Sequence, residues 1–82
     1  MEQVQLQYPV TVNGTEISTL NLRRPRVRDM LAANKVKGSD AEKEIRMFCN
    51  LCEVEPDVIE SLDLADYAQL QKVYQGFLSS DR

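Results

Sequence analysis

Apolar and polar residues alternate from Gln3 to Val12, with Val4, Leu6, Tyr8, Val10 and Val12 interleaved with Gln3, Gln5, Gln7, Pro9 and Thr11. A period of two is the signature of a strand with one buried face. Asn13-Gly14 follows at once. That pair suits a type I′ turn, whose two central residues both need positive φ. The return strand then runs Thr15–Leu22, and a two-residue loop sets Val12 against Thr15, Val10 against Ile17 and Tyr8 against Thr19. Leu20 and Leu22 fall on the opposite parity. A bulge near Ser18-Thr19, or burial of the strand end on both sides, would reconcile them. Pro9 has no N–H for a ladder, which places its strand at an edge.

After Leu22 the period changes to that of helices. Pro25 suits a first helical position, and Val27, Met30 and Leu31 stand at i, i+3 and i+4, so a short helix is expected over Pro25–Asn34. Ser39 and Glu42 form a capping box opening a helix whose stripe is Ala41, Ile45, Phe48 and Cys52, ending near Glu53. Pro56 starts a third helix, about Pro56 to Leu62, with Val54 and Ile59 spaced as a hydrophobic staple. Asp63 can cap the last helix, Leu64 to Leu78, with Leu64, Tyr67, Leu70, Tyr74, Phe77 and Leu78 on one stripe. The expected fold is α+β, an N-terminal hairpin packed on three to four helices. One domain is expected over 1–82: hairpin over 1–22, helical part over 25–78 and a frayed tail over 79–82.

Composition narrows the chemistry. The 82 residues are 43% hydrophobic and 28% charged, an ordinary globular balance with room for one small core. No apolar run approaches bilayer length and no signal-peptide pattern opens the chain, so a soluble, cytoplasmic protein is expected. His is absent, which removes Ser-His-Asp and Cys-His catalysis and imidazole metal ligands. With only three Gly, neither a dinucleotide-binding nor a phosphate loop can be written. No catalytic residue, cofactor or metal ligand is assigned, and the chain is read as a non-enzyme. Charge is uneven: residues 1–52 carry eight Lys/Arg and six Asp/Glu, residues 53–82 two and seven. Such asymmetry can steer partners or drive head-to-tail self-association.

Four features could carry function. Cys49-Asn-Leu-Cys52 lies at the end of a helix, where the dipole disfavours a thiolate, and no second pair completes a zinc site. A core role therefore outweighs a thiol oxidoreductase or an interchain metal site. Arg23, Arg24, Arg26 and Arg28 could contact nucleic acid, yet Asp29 interrupts the run and can pair with an Arg at the strand–helix junction. The acidic pairs Glu55/Asp57 and Asp63/Asp66 sit at helix starts, where capping explains them. The stripe Tyr67, Leu70, Tyr74, Phe77 and Leu78 is the candidate partner-binding surface, since a small domain has little left to cover it.

The order of these pieces resembles a known family. Its marks are Leu20-Asn-Leu22-Arg-Arg24-Pro25-Arg-Val-Arg-Asp29, then Phe48-Cys-Asn-Leu51-Cys-Glu-Val54 before Pro56, then Ile59-Glu-Ser-Leu62-Asp63-Leu64-Ala-Asp66-Tyr67. These are similar to the small tail assembly chaperones of P2-like and Mu-like contractile-tailed phages and prophages, over Val10 to Leu78. The resemblance implies a non-enzymatic protein that binds the long tape measure protein and keeps it soluble while the tail tube assembles. It further implies action in the bacterial cytoplasm, absence from the mature virion, and a longer frameshifted product. The tail tube protein is a second candidate partner, self-association a third, and neither nucleic acid nor membrane is expected. The alternative is a small nucleic-acid-binding regulator acting through Arg23–Arg28.

The turn provides the first test. Gly14→Val should destabilise the fold by about 1–2 kcal/mol, because a β-branched residue resists positive φ. The measurement is the urea midpoint at unchanged slope.

Overall fold

The computed structural model describes residues 1–79. Strands β1 (Glu2–Val12) and β2 (Thr15–Leu22) form a two-stranded antiparallel sheet, followed by helices α1 (Val27–Asn34), α2 (Asp40–Cys52), α3 (Pro56–Glu60) and α4 (Leu64–Leu78). The architecture is α+β, as expected. The turn is the expected one, with Asn13 at φ 52° and Gly14 at φ 79°. Ser79 has left the helix, its N–H donating to the Gln75 carbonyl at 3.0 Å. The rest of the expected tail, 80–82, lies outside the described residues.

The hairpin register explains the conflicting parity of Leu20 and Leu22. Val12, Thr11 and Val10 pair with Thr15, Glu16 and Ile17, but Gln5 and Val4 pair with Thr19 and Leu20. Four residues of β1, Leu6 to Pro9, thus stand against Ser18 alone. Unbroken pairing would have set Leu20 against the polar Gln7. A slip by an odd number moves it opposite Val4, so Val4, Leu6, Leu20 and Leu22 are all buried. The bulge is where the parity argument puts it, with the extra residues on β1. The expected pairing of Tyr8 with Thr19 does not form: Tyr8 sits in the bulge and is 56% exposed. Pro9 lies there too, where a missing N–H costs no ladder bond.

Bulged backbone needs partners for its freed N–H groups. Asp66, fully buried in the first turn of α4, supplies them. Its two side-chain oxygens accept from the N–H groups of Gln7, at 2.9 Å, and Tyr8, at 3.0 Å. The helix-start explanation therefore fails for Asp66, which serves the strand instead of its own helix. Asp63 does cap α4, accepting from the Ala65 N–H at 2.8 Å.

The helices follow their signals with local exceptions. The box at α2 is reciprocal: Ser39 Oγ accepts from Glu42 N–H and Glu42 Oε1 from Ser39 N–H. Glu53 ends α2 at φ 58°, and the Val54 N–H reaches back to the Cys49 carbonyl. α1 begins two residues after Pro25, because the Asp29 carboxylate draws the N-terminus to Arg26, accepting its N–H at 2.8 Å. α3 stops at Glu60, ahead of the expected Leu62, as Ser61 closes it.

Leu22, Phe48, Leu51 and Leu70 are the fully buried apolar side chains at the centre of the core. β1 packs on α3 and α4, β2 on α2, and α1 on α2. Val54 and Ile59, the staple pair, both join this cluster. Three expected inward positions of α1 do not: Val27, Met30 and Leu31 are 70%, 48% and 53% exposed. α1 buries Asp29 and Ala33 instead. Ala41, Leu64 and Leu78 are likewise exposed. The Cα trace fills 35 × 34 × 18 Å, a slab too thin to cover both sides of its outer helices.

Asp66→Ala should therefore cost about 2–4 kcal/mol, since it strands two strand N–H groups and not one. Urea denaturation measures the loss. Hydrogen exchange at Gln7 and Tyr8 should accelerate more than at Val12.

Candidate partner-binding surface

The residues of the α4 stripe divide between core and surface. Leu70 is 0% exposed and belongs wholly to the core. Tyr67 and Tyr74 are half-buried and set their rings edge-on to Phe48, with centroids 5.5 and 6.0 Å away. The Tyr67 hydroxyl donates to Glu44 Oε1 at 2.5 Å, and Gln71 Nε2 donates to the same oxygen at 3.0 Å. Burial first, and then the Glu44 contact, raise the Tyr67 pKa above the phenol range. Phe77 lies half-buried under the Arg24 guanidinium, 5.5 Å from its centroid. Leu78 stands exposed beyond it. The stripe therefore anchors α4 through Tyr67 and Leu70 and reaches solvent through Tyr74, Phe77 and Leu78.

Tyr74 also borders an open groove between α1, α2 and α4. Ala33, Met47 and Phe48 line it with the half-exposed Met30, and Lys43 and Glu44 stand at its edge. An apolar floor with a polar rim, ending in a flexible Met, is the chemistry of an adaptable protein-binding groove. The sequence pattern contained Met30 but placed it inward. Nothing in the helical period distinguishes an exposed apolar face from a buried one.

The arginine cluster is dispersed over separate tasks. Arg23 grips Asp29 with both terminal nitrogens, at 2.9 and 2.8 Å. This is the pairing anticipated at the strand–helix junction. That double hydrogen bond outweighs the cost of burial and holds the Asp29 carboxyl below its usual range, helped by the Arg26 N–H. Arg24 donates to the Phe77 carbonyl at 3.2 Å besides stacking on its ring. Only Arg26 and Arg28 of the four are left without such a contact among the described residues.

Cys49 and Cys52 are free thiols, both buried. Burial raises the Cys49 pKa and, with Cys49 beside it, pushes Cys52 up to about 12. Neither thiol is poised as a nucleophile. Among the described residues no group of three or more His, Cys, Asp or Glu is arranged to hold a metal ion, and no helix is long and apolar enough to cross a membrane.

A family model described as phage tail assembly chaperone proteins, E, or 41 or 14, matches residues 3–79. The chain belongs to this family. No curated protein and no solved structure matches significantly. The family name implies protein partners in tail assembly. The matched span takes in both buried carboxyl groups, Asp29, whose pairing with an Arg was expected, and Asp66, whose role was not.

The Asp29 pairing has a pH signature. Its folded pKa is depressed, so its contribution is fully present above the unfolded value, about 3.9, and disappears as pH falls through the lower folded value. Asp29→Asn should lower stability at neutral pH, and the gap from wild type should narrow below about pH 4. Urea midpoints across pH measure both effects.

Proposed function

We propose that this tail assembly chaperone binds the tape measure protein of its phage or prophage and keeps it soluble in the host cytoplasm while the tail tube forms. The chaperone itself then stays out of the mature virion. The observation that carries the reading is the groove edged by Met30 and Tyr74, continuous in chemistry with the exposed end of α4 at Phe77 and Leu78. A long helical client presents repeated apolar stripes, and such a stripe fits a groove of apolar floor and polar rim. Modest affinity per copy multiplies when many copies line one client. Tyr74 and Phe77 provide ring area already held in place by Phe48 and Arg24, so little side-chain entropy is lost on binding.

The nucleic-acid alternative draws less support. Arg23 and Arg24, two of the four arginines in that run, are engaged with Asp29 and Phe77, which weakens Arg23–Arg28 as a phosphate-binding cluster.

The test is co-expression with the tape measure protein of the same phage or prophage. Wild type should keep the client soluble, while Tyr74→Ala and the surface double variant Met30→Ser/Leu78→Ser, checked for folding, should lose most of that effect. If all variants solubilise equally, the groove is not the site. If wild type gives no solubilisation, the tape measure function falls with it.

A further inference from the structure

A second open groove lies between α1 and α2, separate from the one at Tyr74. Leu31 and Val36 contribute its apolar surface, and Arg28, Lys35 and Arg46 stand around it with no carboxylate in the lining. None of these three cations has an acidic partner within 4.0 Å among the described residues. Val27 adds a further exposed apolar side chain on the same helix, at 70% exposure. Unpaired positive charge around exposed leucine selects an occupant that is both acidic and apolar.

The chain carries such an element itself. Leu64, at the α3–α4 junction, is 81% exposed. Glu60 and Asp63 precede it, both exposed. No Lys or Arg occurs between Arg46 and Lys72 in the sequence, so residues 47–71 carry acidic groups only, and Arg46 meets this segment in space by lining a groove with Glu60. We propose that a second copy of the chain docks its acidic corner into the groove, with Leu64 covering Leu31 and Val36, and Glu60 and Asp63 meeting Arg28 and Lys35. The knob at Leu64 and the groove at Leu31 are different patches, so the contact is heterologous. Each copy keeps a free groove or corner for the next, which gives rings or open chains. The uneven charge along the sequence becomes the device that sets the direction of association. Burial of Leu64, Leu31 and Val36 supplies attraction, and the charge pattern fixes which patches meet.

The inference stands apart from the client reading, because its first measurement needs the purified full chain alone. Sedimentation at rising protein concentration should show increasing mass, weakened by added salt because the cations are exposed. Arg28→Glu/Lys35→Glu reverses the groove and Glu60→Lys/Leu64→Ser reverses the corner, all at exposed positions that leave the core intact. Circular dichroism and urea midpoints verify folding. Each double variant should self-associate roughly tenfold more weakly or worse. Mixing the two should restore association, since one keeps a native corner and the other a native groove. A wild type that is monomeric at every concentration overturns the proposal, as do folded variants that associate like wild type. A monomeric wild type whose groove variant no longer binds tape measure protein would assign the groove to the client instead.

Discussion

Asp66 holds the two halves of this protein together. A carboxyl group buried at the start of α4 accepts the N–H groups of Gln7 and Tyr8, where the strand bulges out of its ladder. The bulge is needed to turn Leu20 and Leu22 toward the core, and bulging frees backbone donors that a thin domain cannot leave buried and unpaired. One side chain thus allows the register, and the register fills the core. It also ties the start of α4 to the sheet, and along that helix Leu70 joins the core with Phe48 while Tyr74 borders the groove with α1.

The second buried carboxyl group has a complementary effect. Asp29 secures the start of α1 through Arg23 and the Arg26 N–H, while Ala33 packs the helix on the core. Because those contacts anchor it, its apolar residues need not enter the core, and Val27, Met30 and Leu31 remain on the surface. Exposed apolar residues cost solubility and are seldom clustered without use on a small domain. In the reading proposed above they provide contact area. α1 accordingly separates two grooves of different character, one apolar and edged by Tyr74, the other edged by cations.

This division of labour within the chain shows where the polar groups of its described residues are engaged. Its strongest polar interactions, at Asp29, Asp66 and Glu44, are all spent on holding backbone or side chains of the fold. Its thiols are shifted away from reactivity by burial. What is offered outward is shape, apolar area and charge of segregated sign. Those are the means of recognition between proteins.

Local chemistry determined the elements. Asn13-Gly14 requires its turn because of positive φ, the Ser39–Glu42 box starts α2 by pairing orphan N–H groups, and Pro56 and Asp63 start α3 and α4 for similar reasons. The alternation in β1 and the odd parity of Leu20 and Leu22 even made a bulge necessary. Such signals act over a few residues, so they can be read along the chain. What the sequence could not determine was which of several apolar stripes would be covered. Leu70 and Met30 occupy equivalent helical positions on paper, yet Leu70 is fully enclosed and Met30 half-exposed. Likewise Asp66 resembled a helix cap until the strand bulge, fifty-eight residues away in the chain, came beside it. Burial depends on what the other elements leave uncovered, and a buried carboxyl group's partner depends on which backbone arrives there. Both are properties of the assembled tertiary structure, because neither distance nor coverage is encoded in local spacing.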